Sequence, residues 1–278
     1  MHSLNCRGRL LDLSTPVIMG ILNLTPDSFY NGGRLTTVDD ALRQAEKMLS
    51  AGAAILDLGG ASTRPGATEV PETEEIKRVI PAIAAIINRF SETIISIDTW
   101  RAAVAREALN AGASLINDVS AGKSDAGMYP LLGMLKQTPY ILMHMQGGPQ
   151  TMQQNPVYGD VVQEVLDFFI AEVGKLRALG ITDIVLDPGF GFGKTVAHNF
   201  QLLKNLHVFS AVTGLPVLAG ISRKSMICKV LQVNPEHALN GTTALHMVAL
   251  QQGAKILRVH DVREAREVIR LWAELQEH

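Results

Sequence analysis

Eight short runs rich in Val, Ile and Leu recur along the chain, and each ends in small or polar residues. They are VIMGILN at 17–23, AILDLG at 54–59, IISID at 94–98, LINDV at 115–119, YILMH at 140–144, IVLD at 184–187, PVLAGIS at 216–222 and KILRVH at 255–260. Between them lie stretches of helical period, such as 38–53, 73–90, 101–113, 161–180 and 262–276. This rhythm predicts strand-then-helix units. Gly52, Gly112 and Gly180 fall near the last turn of three helical stretches, where a left-handed residue commonly closes a helix before the next strand. Strands that are apolar at nearly every residue suit a parallel sheet covered on both faces. Eight such units predict a (β/α)₈ TIM barrel, with an open doubly wound sheet as the rival.

Residues 1–15 are extra to that pattern. Alternation in Ser3-Leu4-Asn5-Cys6 and Leu10-Leu11-Asp12-Leu13 around Arg7-Gly8-Arg9 predicts a β-hairpin covering the N-terminal mouth. With no repeat, linker or low-complexity tract, residues 1–278 are expected to form one domain. A length of 278 residues with 47% hydrophobic and 19% charged residues supplies a sizeable core. The net charge is only -2 and the basic residues are scattered, which argues against nucleic acid and membrane partners and for small-molecule substrates. Cys6 and Cys228 form no metal-type or redox-type pair, and no run of about eighteen apolar residues occurs, so a cytoplasmic protein is expected.

The chemistry collects at the strand ends. Asn23, Asp57, Asp98, Asn117, Asp118, His144, Asp187, Ser222, Lys224, Arg258, His260 and Asp261 all lie at or just after them. In a barrel those positions converge on one mouth. Any single Asp there reads equally well as the N-cap of the following helix, but repetition over eight strands weakens that reading. Several Asp and Asn side chains together suit the amide and amine edge of a flat purine- or pterin-like ring. Arg258 and His260, one residue apart, point to one side and suit an anion or a ring face.

Two long polar loops follow strands, one with Phe29 and Gly32-Gly33, the other with Ser62, Thr63, Arg64 and Pro65. Thr63 and Arg64 suit phosphate oxygens, and Asn23 suits a divalent metal carrying that phosphate. The run DPGFGFGKT at 187–195 has the look of a phosphate loop and fails the test. Pro188 stands where the first glycine of a Walker A loop belongs, and Gly189, Gly191 and Gly193 are spaced evenly rather than as G-x-G-x-x-G.

Taken in order, MGILNLTPDSF, GGASTRPGA, SIDT, INDV, LMHMQG, LDPGFGFGK, GISRKS and RVHD resemble dihydropteroate synthase, over a stretch from Met19 to Asp261. The resemblance implies a (β/α)₈ transferase of folate synthesis, commonly dimeric and a target of sulfonamides. Such an enzyme joins p-aminobenzoate to 6-hydroxymethyl-7,8-dihydropterin diphosphate and releases diphosphate. It further implies that Asp98, Asn117, Asp187 and Lys224 hold the pterin, with Arg258 packing on the ring and Asp57 supporting the pocket from behind. Asn23 would help hold Mg²⁺, Thr63, Arg64, Arg258 and His260 would bind diphosphate, and Ser222, Phe29 and Pro65 would border the p-aminobenzoate pocket. Two positions depart from the family's pattern: Asn31 replaces a common aspartate, and Ala61 a common glutamate. Neither belongs to the pterin set, so activity is expected to be retained. Two other readings are a barrel presenting methyltetrahydrofolate to a corrinoid protein, which has no need of STRPG or SRKS, and a silent folate-binding homologue. The apolar face of the last helix, with Trp272, is a candidate dimer face.

Overall fold

The computed structural model describes residues 3–24, 37–61, 70–148 and 156–277. A hairpin of β1 (Ser3–Cys6) and β2 (Arg9–Asp12) comes first. Strand and helix then alternate: β3 (Val17–Asn23), α1 (Val38–Ala51), β4 (Ile55–Gly59), α2 (Glu72–Arg89), β5 (Ile94–Asp98), α3 (Ala102–Ala111), β6 (Leu115–Asp118), α4 (Met128–Met134), β7 (Tyr140–Met143) and α5 (Val161–Ala178). The second half runs through β8 (Ile184–Asp187), α6 (Val196–Lys204), α7 (His207–Thr213), β9 (Leu218–Ala219), α8 (Ser225–Leu231), α9 (Leu239–Gln251), β10 (Ile256–Val259) and α10 (Val262–Glu277).

Strands β3 to β10 form one parallel sheet in the order β8-β7-β6-β5-β4-β3-β10-β9. A single parallel bridge, Leu186 to Val217, with Leu186 N–H donating to the Pro216 carbonyl at 2.9 Å, brings the two edges together and closes the barrel. The closing strand is shorter than the seven residues expected. Pro216 has no N–H to donate, and beyond Ala219 the chain turns into the Ser222–Lys224 segment instead of continuing the ladder. Helix ends follow the expectation: Gly52 and Gly112 are left-handed caps of α1 and α3, and Gly180 has φ +84° just past α5.

Side-chain alternation divides each strand between the barrel interior and the surrounding helices. Met19, Ile55, Ile94, Leu115, Ile141, Val185, Leu218 and Ile256, one from each of the eight strands, form a cluster with Leu4, Cys6, Leu11 and Leu13 of the N-terminal segment. The hairpin therefore plugs the barrel's lower end, as its alternation suggested. Its two-residue turn, Arg7 at φ +56° and Gly8 at φ +92°, has both central residues left-handed, as the tightest hairpins require. Truncating the fully buried Leu13 to Ala is expected to cost about 2–5 kcal/mol in chemical unfolding. The same change at Leu10, 73% exposed on the other face, is expected to shift stability by under about 0.5 kcal/mol.

Candidate active site

Two residues up from the apolar layer, the interior turns polar on five of the eight strands. Asp57, Ser96, Asn117, Asp187 and Arg258 occupy that level, and the next step brings Asn23, Asp98, Ser222 and His260 to the mouth. The Arg258 guanidinium joins the set: its Nε donates to Asp57 Oδ2 and its Nη2 to Asp98 Oδ2, both at 2.6 Å. Asn117 Nδ2 donates to the same Asp57 oxygen at 3.1 Å. Asp57 is fully buried, so it braces Arg258 and Asn117 from behind. Their second oxygens are different. Asp57 Oδ1 and Asp98 Oδ1, together with Ser96 Oγ, are buried and have no hydrogen-bond partner among the described residues. A buried acceptor left without a donor costs about 1–3 kcal/mol, and two on carboxylates that share Arg258 suit N–H groups from outside.

The electrostatics agree. Burial pushes the Asp98 carboxyl up to about 7 despite Arg258 beside it, with Asp57 adding repulsion. Burial also raises Asp187, whose Oδ1 accepts from Gly189 N–H at 2.7 Å while Lys224 and Arg258 pull the other way. Lys224 is drawn down to about 8 by burial, which outweighs the attraction of Asp187. Its ammonium donates to the Phe190 carbonyl and lies 4.6 Å over the Phe192 ring. Burial by itself would weaken the Arg258 cation, but Asp57 and Asp98 hold it firmly protonated. His260 Nδ1 lies 3.0 Å from Ser222 Oγ, and His260 N–H donates to that hydroxyl at 3.2 Å, which ties the last strand to the loop after β9.

Three of the polar strand-end residues do not join this mouth. Asp118 follows the inward Asn117 and so faces the helices, where it accepts from Ser120 N–H, Gly122 N–H and Tyr140 O–H at 2.7–2.8 Å. His144 packs its ring on Phe168 of α5, with centroids 4.9 Å apart, and Asp261 forms a two-pronged pair with Arg223 at 2.6 and 2.7 Å. Alternation explains all three, since a one-residue step reverses the side of a strand a side chain occupies. Ser96, which the sequence reading passed over, is detectable by the same rule as the residue two before Asp98.

Phe29, Asn31, Thr63, Arg64 and Pro65 lie outside the described residues, and Ala61 is the last position described before the second loop. Among the described residues no group of three His, Cys, Asp or Glu side chains is placed to hold a metal ion, and no helix is long and apolar enough to cross a membrane. Both cysteines are unpaired, Cys6 buried and Cys228 partly so. Trp272 packs against the barrel's outer core rather than facing outward, while Leu271 and Leu275 beside it are each 62% exposed.

Residues 19–260 match the family described as pterin binding enzyme. The chain is 48% identical over 271 residues to the dihydropteroate synthase of Haemophilus influenzae, covering 97% of each. Its fold superposes on a Yersinia pestis dihydropteroate synthase solved with a sulfonamide drug, with a TM-score of 0.95, 45% identity and all of both chains covered. A dihydropteroate synthase from Xanthomonas albilineans in complex with 7,8-dihydropteroate matches at a TM-score of 0.89 and 39% identity, again over all of both chains.

Proposed function

The chain belongs to the pterin binding enzymes and, within them, to the dihydropteroate synthases, and we propose that its polar barrel mouth is where pterin diphosphate is condensed with p-aminobenzoate. The observation that carries the assignment of residues is Asp98 Oδ1, a buried carboxylate oxygen without a partner among the described residues, beside Asn117, Asp187 and Lys224. A pterin edge offers ring and amino N–H donors to carboxylates and ring acceptors to an ammonium and an amide, which is the complement of this set. Asp98, Asn117, Asp187 and Lys224 hold the ring, Asp57 fixes Asn117 and Arg258 from below, and Arg258 packs along the ring. Thr63, Arg64, Arg258 and His260 bind the diphosphate, and Ser222, Phe29 and Pro65 border the arylamine.

In the reaction the C–O bond from the pterin methylene to diphosphate breaks, and the electron pair leaves with diphosphate. The arylamine nitrogen then forms the new C–N bond and gives up a proton. Departure of the leaving group puts positive charge on the ring, and the buried carboxylates Asp98 and Asp187 stabilise that charge without reorganising. The arylamine is uncharged at neutral pH, so the site has to place it more than deprotonate it. Asn23, at the end of β3, offers a hard amide oxygen of the kind Mg²⁺ accepts. Mg²⁺ held there would supply positive charge that neutralises the diphosphate leaving group. Chelation is expected to abolish turnover and added Mg²⁺ to restore it.

The whole chain of 278 residues works as one unit in the cytoplasm, its hairpin part of the barrel core. The exposed Leu271 and Leu275 on α10 support a homodimer, which light scattering of the purified protein tests by a mass near twice 30.1 kDa.

A proton count tests the pterin site. Arg258 occupies Asp98 Oδ2, so protonation falls on the open Oδ1 and turns it from acceptor to donor, and the carboxyl sits at about 7. Binding of pterin is therefore expected to release protons at pH values below about 7 and to weaken as pH falls further. At the other limb it weakens as Lys224 loses its charge above about 8. Calorimetry of pterin binding in two buffers of different ionisation enthalpy reads the release directly. An affinity flat across both limbs would contradict this use of Asp98 and Lys224.

A further inference from the structure

The GFGFGK segment is no phosphate loop, and the structure shows a different use for its lysine. Lys194 is buried between the ends of β7 and β8, and its ammonium has four acceptors: His144 Nδ1 at 3.0 Å and the carbonyls of His144, Gly189 and Phe192 at 3.2, 3.1 and 3.0 Å. A phosphate loop turns its N–H groups onto an anion. Here carbonyls converge on a cation. Gly189 and Gly193 are left-handed, at φ +69° and +62°, and a Cβ on either would lie 2.0 and 2.2 Å from the His144 and Gln146 carbonyl oxygens, so the loop is pressed onto the β7 end. Burial pulls the Lys194 ammonium down to about 7, and Asp187 pulls it back up. The three carbonyls favour the charged form in the same sense.

Two other groups of the same loop face the other way. Phe190 O accepts from the Lys224 ammonium, and the Phe192 ring lies under it. One loop is thus gripped by two lysines, Lys194 behind and Lys224 in front. We propose that Lys194 is a positioning residue of the pterin site, whose ammonium holds the 189–193 loop so that Phe190 O and Phe192 fix Lys224 against the ring. The inference rests on the reading of Lys224 as a pterin ligand.

A double-mutant cycle separates positioning through Lys224 from a general structural role, because only coupled sites fail to add. Unsubstituted pterin is titrated at one fixed pH into the wild type, Lys194→Gln, Lys224→Met and the double variant, each checked for folding by its thermal midpoint. Lys194→Gln is expected to weaken pterin about tenfold in the wild-type background, the worth of one charged hydrogen bond, and to have no further effect beside Lys224→Met. Losses that multiply, or a Lys194→Gln variant that binds pterin as the wild type does, overturn the proposal. Should Lys194→Gln not fold, Lys194→Met, which keeps the apolar stem and removes the charge, reads the same coupling in the same two backgrounds, and unchanged pterin affinity there overturns it equally. A wild type that fails to bind pterin overturns the site reading, and the inference with it.

Discussion

Lys224→Ala is expected to lower kcat/KM for dihydropteroate formation by at least about a hundredfold while leaving the protein as stable as before. Removing one partner of a buried, hydrogen-bonded charge costs about 2–5 kcal/mol of binding, and Lys224 is the cation proposed to meet the ring acceptors. The loss should fall mainly on the pterin KM, because the contact exists before diphosphate departs. Stability behaves differently. Burial has already drawn Lys224 down to about 8, so its charge is a cost to the folded chain that alanine removes, and the bond to Phe190 O is lost in exchange. Steady-state kinetics with a thermal melt of the same sample checks both halves. A large fall in melting temperature with an unchanged pterin KM would make Lys224 structural.

Arg258→Met is expected to damage both stability and activity. Its guanidinium is the shared partner of Asp57 and Asp98, and its removal leaves two buried carboxylates uncompensated. Breaking such an arrangement costs about 3–5 kcal/mol. For a chain of this length that corresponds to a fall in melting temperature of roughly 10 °C. The sign with pH is also fixed. A carboxyl raised in the folded state holds a proton that the unfolded state has lost, so its contribution to stability falls as pH rises from the ordinary value of 3.8 through the folded value. Asp98 stands at about 7 even with Arg258 present, so the variant should be least impaired in mild acid and most impaired above neutrality. Asp57→Asn in the Arg258→Met background removes one of the two stranded charges and should restore part of the loss. A melting temperature equal to the wild type's at alkaline pH contradicts the account.

Much of this site was legible before the fold was known, because a barrel gathers whatever its strands end on. Asp98, Asn117, Asp187 and Arg258 stand out as polar residues closing apolar runs, and the structure brings them together. The side of the strand is the part that apolar runs alone do not reveal. Asp118, His144 and Asp261 end the same runs but sit one step out of phase, so they serve the helices and loops instead. Counting in twos back from Asp98 separates these cases, and it also finds Ser96. The short closing strand was less accessible, since a closure by one bridge at Val217 depends on how the barrel staggers and not on any local run. Lys194 was hidden for another reason. Its partners are mostly backbone carbonyls, and carbonyls carry no side-chain signature in a sequence.

A product balance distinguishes a barrel that condenses its pterin from one that only holds it. Purified protein is incubated with Mg²⁺, 6-hydroxymethyl-7,8-dihydropterin diphosphate and p-aminobenzoate, and dihydropteroate and diphosphate are measured in the same sample. Equal amounts of the two, with neither formed when the arylamine is omitted, are the predicted result. Tight pterin binding with no diphosphate released would contradict it and leave a barrel that holds a pterin without condensing it.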